Sequence, residues 1–153
     1  MIEPPVLLDI GAQATAAVHV VIPRAQIREV MGPGIQEVYA TLAAQGVAPA
    51  GPWLTHHRRM DPQIFDFEIS VPVASPIQPT GRVQNLGTPG GRVARTTFHG
   101  NYSGLGEAWG QFRAWVEAQG LQCGDHMWET YVLDPSKSPN PDDWRTELTQ
   151  TIG

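Results

Sequence analysis

The sequence predicts an α+β fold in which two copies of a strand–helix–strand–strand module form one curved antiparallel sheet, with two long helices and a central cleft. Three repeated features support this prediction. Segments 34–42 and 104–112 both place apolar residues at i, i+3, i+4 and i+7, which is one face of an amphipathic helix. Each segment is followed by a Trp-x-Thr sequence and then an aromatic-x-x-Glu sequence, starting at Trp53 and Phe65, and at Trp128 and Trp144.

The first copy spans about residues 14–73 and the second about residues 92–152. Both predicted helices run out at an Ala-Gln-Gly sequence. Two copies of one module imply a pseudo-two-fold axis, and a cleft is expected where the copies meet.

The first copy is predicted to contain strand 14–22, helix 33–45, strand 53–57 and strand 65–73. Pro33 suits the first turn of a helix, where its missing N–H is not needed, and Gly46 suits the residue after the last turn. The last strand alternates. One face carries Phe65, Phe67, Ile69, Val71 and Val73, and the other carries Asp66, Glu68 and Ser70.

Residues 74–91 are rich in glycine and proline and connect the copies, with a short strand predicted over 82–86. The second copy is predicted to contain strand 92–99, helix 104–119, strand 127–133 and strand 144–152. Ser103 has a side chain that suits a helix N-cap. Because short turns separate the strands, antiparallel pairing is expected.

Composition excludes several classes of function. A chain of 153 residues is expected to form a single domain over 1–153. With a net charge of −5 and Lys137 as its only lysine, it lacks the clustered positive charge of a nucleic-acid-binding surface. Cys123 is the only cysteine, so an internal disulfide and a cysteine-based metal site are excluded.

Other sequence signals are missing. The five histidines lack the spacing of metal ligands, and no nucleophile elbow or phosphate-binding loop is present, so neither a metal nor another cofactor is expected. The first residues do not form a signal peptide, and no segment approaches the roughly 18 apolar residues of a membrane span. We therefore expect a soluble, cytoplasmic protein that contacts neither membranes nor nucleic acid.

Several motifs occur together in an order and at spacings that are typical of one family. In the second copy they are His99-Gly100-Asn101-Tyr102 with Leu105, Trp128-Glu129-Thr130-Tyr131 with Asp134-Pro135, and Trp144-Arg145-Thr146-Glu147-Leu148. A helix with Trp109 and Trp115 lies between the first two, and segments 65–68 and 71–73 of the first copy also fit. Over nearly its whole length, the chain resembles a stand-alone member of the GyrI-like small-molecule-binding family.

This resemblance implies a central pocket for flat, apolar and often cationic molecules, with aromatic walls and a buried glutamate. The family resembles the effector-binding halves of AraC- and MerR-type multidrug regulators, so drug sensing or sequestration is the leading interpretation. Some stand-alone members resemble hydrolases that open the strained cyclopropane ring of DNA-alkylating compounds, which is the first alternative. A gyrase-inhibitor-like module that binds a protein partner is the second alternative.

Glu129 is the leading site residue, because it lies in a predicted strand between Trp128 and Tyr131. An ionised carboxylate that is buried without a partner is very costly, so a buried Glu129 would have a raised pKa or bind a cation. The alternative is an exposed glutamate on the solvent side of an edge strand. Strand parity places Trp128 and Glu129 on opposite faces, which favours a site with Glu129 and Tyr131.

The other candidate ligand-binding residues are Tyr131, Tyr102, Trp109, Tyr39, Trp53 and Glu68. In an enzyme, Glu129 and Glu68 would act as acid and base, and Tyr102 would hydrogen-bond a developing oxyanion. Each has a structural alternative. Glu68 could lie on a solvated strand face, like its counterpart Glu147 beside Arg145, Tyr102 could cap a helix, and the remaining aromatic residues could belong to the core.

Overall fold

The computed structural model describes residues 1–59 and 62–152, and shows an α+β fold of antiparallel strands and two long helices, as predicted. Met60, Asp61 and Gly153, which fall inside the predicted repeat and domain limits, lie outside the described residues. The elements are β1 (Val6–Ile10), β2 (Gln13–Pro23), α1 (Ile27–Gln45), β3 (Leu54–Arg59), β4 (Ile64–Pro72), β5 (Val83–Thr88), β6 (Gly91–His99), α2 (Leu105–Ala118), β7 (Cys123–Leu133) and β8 (Arg145–Ile152).

The chain divides into two compact units, and the first comprises Gly11–Gly90. Its strands follow the order β5-β2-β4-β3, and neighbouring strands are antiparallel. Helix α1 packs on β2 and β4, where its buried Val38 and Leu42 meet Val18, Phe67 and Ile69. Burial of this apolar helix face is the main force that holds α1 to its sheet.

The second unit comprises Met1–Ile10 and Gly91–Gly153. Its strands follow the order β1-β6-β8-β7, again antiparallel. Helix α2 buries Phe112 and Val116 in a core with Ala94, Phe98 and Leu148.

The two units have the same strand order, because β5-β2-β4-β3 in the first unit corresponds to β1-β6-β8-β7 in the second. The strands at the start of these two series, β5 and β1, are not part of the predicted repeat. β1 was missed altogether, and β5, predicted as a short strand over 82–86, extends to Thr88. Each unit therefore contains one more strand than the predicted module, and the limits 14–73 and 92–152 remain a prediction.

Helix α1 begins earlier than predicted. It starts at Ile27, so Pro33 lies inside the helix instead of in its first turn. Ile27, Val30 and Met31 precede the proline and pack against the core of the first unit, which offsets the hydrogen bond that proline cannot donate. The predicted C-terminal end is confirmed, because Gly46 follows the last turn with a left-handed φ of 67°.

The predicted cap at Ser103 is wrong. Gly104 is the residue before α2 and provides no side-chain cap. Asn101 instead caps a short 3-10 helix, Tyr102–Gly104, by accepting a hydrogen bond from the Ser103 N–H at 3.1 Å. Among the described residues, no helix is long and apolar enough to cross a membrane.

An aromatic stack lies on the α1-facing side of the first unit. The His57 ring stacks on Phe67 at 5.4 Å and meets the edge of Phe65 at 5.5 Å, while the Arg24 guanidinium lies 4.3 Å from the Phe65 ring centre. Burial, followed by the charges of His56 and Arg24, lowers the pKa of His57 to about 4. The ring is therefore neutral at physiological pH.

We expect this stack to make the first unit sensitive to acid. Because the folded-state pKa of His57 is depressed, its contribution to stability is present above pH 6.5 and is lost as the pH falls through about 4. His57→Phe keeps a stacked ring but cannot be protonated. Urea unfolding from pH 7 to pH 4 should show that the wild type loses roughly 2–4 kcal/mol more than the variant. An equal loss in both proteins would contradict this assignment.

Candidate functional site

Glu129 lies on β7, opposite Leu148 of β8 and on the sheet face that α2 covers. Tyr131 follows two residues later on the same face, whereas Trp128 points to the other face. The predicted parity is therefore present in the structure. The strand thus carries a carboxyl group and a phenol beneath the aromatic side chains of α2.

Two neutral donors hold the Glu129 carboxylate. The Trp109 Nε1–H of α2 donates to Oε2 at 2.7 Å, and the Tyr131 hydroxyl donates to Oε1 at 2.9 Å. Among the described residues, no ion pair involves Glu129. A carboxylate has about four lone-pair positions, so these two bonds leave acceptor capacity on both oxygens.

Desolvation dominates the electrostatics of Glu129. Burial raises the pKa of its carboxyl above the ordinary 4.5, and the hydrogen bonds from Trp109 and Tyr131 oppose this shift because they favour the charged form. The residue retains some accessible surface. The resulting carboxyl group is fixed in position and lacks a counter-ion among the described residues.

Tyr102 lies beside this group. Its ring meets the Tyr131 ring edge-on at 5.8 Å and lies 4.9 Å from the Trp144 ring. Its hydroxyl is buried and has no hydrogen-bond partner among the described residues. Burial, then the nearby charges of Asp134 and Glu129, raises the pKa of Tyr102 to about 12. We refer to Trp109, Glu129, Tyr131 and Tyr102 as the Glu129 cluster.

Trp144 was not included in the sequence-based site. Its indole N–H donates to the Ser138 carbonyl at 3.0 Å, which fixes the ring at the end of the loop between β7 and β8. Within that loop, buried Asp134 accepts a hydrogen bond from the Ser136 N–H at 3.0 Å. The sequence signal for this environment is the loop of proline and short polar residues before Trp144. The predicted strand 144–152 includes Trp144 only as its first residue.

Three predicted site residues, Glu68, Tyr39 and Trp53, belong to the first unit. Glu68 is 4% exposed, so its predicted alternative on a solvated strand face is wrong. Its Oε1 lies 3.3 Å from His56 Nδ1, and its Oε2 lies 3.6 Å from Arg58 Nε. Ser70 is also fully buried, so both faces of β4 are covered.

The two predicted aromatic site residues of the first unit differ in burial. Tyr39 is 39% exposed on α1, whereas Trp53 precedes β3 and packs against the core of that unit. In the second unit, the Glu147 Oε1 lies 3.3 Å from the Arg95 Nε. Arg145, the expected partner of Glu147, instead donates hydrogen bonds to backbone carbonyls. Glu147 is thus neutralised from a neighbouring strand.

A shallow pocket of about 200 Å³ opens elsewhere in the second unit. It is lined by Met1, Phe98, Gly104, Glu107, Ala108 and Gln111. No predicted site residue borders it, so the chemistry of the Glu129 cluster, and not this pocket, identifies the candidate site. Among the described residues, no group of three or more His, Cys, Asp or Glu side chains could hold a metal ion.

Residues 24–149 match the family model of the GyrI-like small molecule binding domain. The chain belongs to this family. A comparison with curated proteins found no match. Among solved structures, the C-terminal domain of EcmrR resembles this GyrI-like domain with a TM-score of 0.85 at 17% identity, over 98% of this chain and 97% of that one.

EcmrR has also been solved in a DNA complex, with a TM-score of 0.84 at 18% identity. That match covers 97% of this chain and 57% of the EcmrR chain, so the GyrI-like domain spans little more than half of EcmrR.

Two further structures share the fold. A hydrolase from Listeria innocua has a TM-score of 0.70 at 15% identity, over 97% of this chain and 91% of that one. SAV2435 bound to tetraphenylphosphonium has a TM-score of 0.68 at 8% identity, over 99% and 94%. At these identities the likeness shows the fold.

The raised pKa of Glu129 predicts that the contribution of this residue to the free energy of unfolding falls as the pH increases. Its favourable contribution is fully present below pH 4.5 and is lost as the pH rises through the folded-state pKa. Glu129→Gln removes this dependence, although its amide group also costs a constant amount because it cannot accept from both donors. Chemical unfolding from pH 4.5 to 8 should therefore show that the free energy of unfolding of the wild type, relative to that of the variant, falls as the pH rises.

Glu147→Gln is the matched control, because Glu147 is paired with Arg95 on the same sheet. Its free energy of unfolding should change with pH as that of the wild type does. A pH profile that is identical in the wild type and in Glu129→Gln would contradict the assignment of this pH dependence to Glu129.

Proposed function

We propose that this GyrI-like domain binds a flat, apolar, cationic small molecule at the Glu129 cluster, for drug sensing or sequestration. The observation that carries the proposal is a desolvated carboxylate held by two neutral donors, Trp109 and Tyr131, with no cationic partner among the described residues. A carboxylate that serves only the structure normally has a cation beside it, as Glu68 and Glu147 do.

The energetics favour a cationic ligand. Burying a carboxylate without a counter-ion costs roughly several kcal/mol, and a bound ligand cation offsets that cost. The aromatic rings of Trp109, Tyr131 and Tyr102 supply apolar surface and faces for cation–π contact, worth about 0.5–2 kcal/mol each. Charge and ring surface together select large lipophilic cations over small hydrated ones.

The comparisons support this proposal at the level of the fold. SAV2435 carries tetraphenylphosphonium, a bulky aromatic cation, and the C-terminal domain of EcmrR has the same architecture. Tyr39, Trp53 and Glu68 remain proposed ligand contacts from the first unit. The alternative of a protein-binding, gyrase-inhibitor-like module stays a prediction.

Binding can be tested with 10-methylacridinium, a flat permanent cation, and with acridine as its neutral counterpart at pH 8. We expect 10-methylacridinium to quench tryptophan fluorescence, since Trp109 contacts the carboxylate. Glu129→Gln should weaken its binding by roughly 1–3 kcal/mol, the worth of a hydrogen bond to a charged group. Acridine should lose much less affinity.

Glu147→Gln serves as the control, since it removes an equal charge from the same unit at an already paired position. It should leave both affinities nearly unchanged. An equal loss of affinity in the two variants would mean that the net charge of the protein explains the weaker binding. This result would refute the counter-ion role of Glu129.

A second candidate function is hydrolysis of a strained cyclopropane-bearing electrophile. Glu129, with its raised pKa, is suited to accept a proton from water near neutral pH, and the unpaired Tyr102 hydroxyl is a donor for a developing oxyanion. The water oxygen would bond to a ring carbon, and the strained C–C bond would break toward a conjugated carbonyl. The carbonyl oxygen would accept a hydrogen bond from Tyr102 as it becomes negatively charged, and Glu129 would then pass on to it the proton that came from water.

Glu129 suits this chemistry better than Glu68, whose oxygens face His56 and Arg58. With a neutral cyclopropane-bearing genotoxin followed by mass spectrometry, Glu129→Gln should lower turnover roughly a hundredfold or more while substrate binding survives. Turnover that is undetectable in the wild type would eliminate the hydrolase function. Turnover that persists unchanged in Glu129→Gln would eliminate the catalytic role of Glu129.

A further inference from the structure

We infer that Tyr102 is a specificity-determining residue, and that the preferred ligand carries a hydrogen-bond acceptor in addition to its cationic group. This inference rests on the proposed function of the Glu129 cluster. Its starting observation is the Tyr102 hydroxyl, which is buried with no hydrogen-bond partner among the described residues. Thr15, Ser70, Thr146 and Gln150 also have a buried polar atom without a partner among the described residues, but none of them belongs to the Glu129 cluster. Tyr102 does belong to it, so its hydroxyl is the unsatisfied group that a ligand bound there can complete.

The Tyr102 ring is held in place on two sides. Trp144 lies 4.9 Å from it, and Tyr131 meets it edge-on at 5.8 Å. Each neighbour is fixed in turn, Trp144 by its hydrogen bond to Ser138 and Tyr131 by its hydrogen bond to Glu129. These contacts orient the ring, while the hydroxyl hydrogen can still rotate toward an acceptor that a ligand brings to it.

The hydroxyl is expected to act as a donor in the complex. Its pKa of about 12, raised by burial and by the charges of Asp134 and Glu129, keeps the proton on the oxygen. The N–H or cationic groups of a ligand have a better acceptor in the Glu129 carboxylate. The unused function of Tyr102 is therefore its O–H, which requires a carbonyl or similar oxygen on the ligand.

This arrangement discriminates more strongly than an exposed hydrogen bond would. In the free protein the desolvated hydroxyl is unsatisfied, and a ligand without an acceptor leaves it so, whereas a ligand with an acceptor satisfies it. We expect a preference of roughly tenfold to a hundredfold for acceptor-bearing cations over matched cations without an acceptor. Tetraphenylphosphonium, which has no acceptor, should belong to the weaker class.

The test uses N-methylquinolinium cations that carry one acetyl group at different ring positions, each matched with the isopropenyl analogue of the same shape. Competition against 10-methylacridinium fluorescence measures their affinities. In the wild type, at least one acetyl compound should bind roughly tenfold or more tightly than its isopropenyl match. Tyr102→Phe keeps the ring between Trp144 and Tyr131, and should reduce that ratio to near one.

A second measurement examines the free protein. Because Tyr102→Phe removes an unsatisfied buried hydroxyl, thermal unfolding of the variant should show no loss of stability. A less stable variant would mean that the hydroxyl already has a partner, and this would overturn the inference. So would equal binding of every acetyl and isopropenyl pair by the wild type.

These failures differ from failure of the proposed function. If no quinolinium cation binds, or if Glu129→Gln leaves their binding unchanged, the cation site itself is wrong. If the cations bind in a Glu129-dependent manner without acceptor preference, only the role of Tyr102 fails. Trp144→Leu adds a check on positioning, since it should lower the acetyl preference while Trp144→Phe restores most of it.

Discussion

The Glu129 carboxylate between the Trp109 indole and the Tyr131 hydroxyl is the interaction on which the candidate site depends. It ties α2 to β7 through one polar bridge in an otherwise apolar interface, and so orients the Trp109 ring toward the strand. The bridge satisfies hydrogen-bonding geometry but supplies no positive charge. A leucine or methionine at position 129 would continue the core formed by Leu148 and Met127. The fold thus contains a charge that helix packing does not require.

The two units provide an internal comparison. When Glu68 is aligned with Glu147, both glutamates follow the same pattern, because each lies on the sheet face away from its helix and contacts an arginine. The next residues, Ile69 and Leu148, pair with Thr55 and with Glu129 respectively. The first unit therefore has a small hydroxyl, Thr55, where the second has a carboxyl. The predicted Trp-x-Thr match, which pairs Thr55 with Thr130, is wrong by one residue in this register. Features that both units share are explained by the fold, whereas Glu129 is not shared.

Much of the fold could be predicted from local pattern. Helix α2 and strands β4, β6 and β8 fall within one or two residues of their predicted limits, because their apolar periodicity reflects the faces that they bury. β1 was missed because it is only five residues long and mostly exposed, so its sequence VLLDI does not alternate between apolar and polar residues. The start of α1 was misplaced since Pro33 is a strong local stop signal, and tertiary packing of the preceding residues overrides it.

For the site, strand parity alone was enough to pair Glu129 with Tyr131, because alternation along a strand is a geometric necessity. The partners of the buried carboxylates could not be predicted in the same way. His56 and Arg58 face Glu68 from an adjacent strand, and Arg95 faces Glu147 similarly, so these pairs depend on strand register. The environment of Tyr102 could not be predicted either, because its ring contacts Tyr131 and Trp144, which are far from it in sequence.

The pairing of β1 with β6 has a consequence for the order of folding. β1 precedes the first unit in the chain, yet it pairs with β6, which follows the entire first unit. During synthesis from the N-terminus, residues 11–90 can complete their own sheet while β1 still lacks its partner. The apolar Ile2 and Leu7, which pack against the core of the second unit in the folded protein, then lack that core on the nascent chain until residues 91–152 emerge. The unit that contains Glu129 is consequently the last to form, and its assembly requires both ends of the described chain.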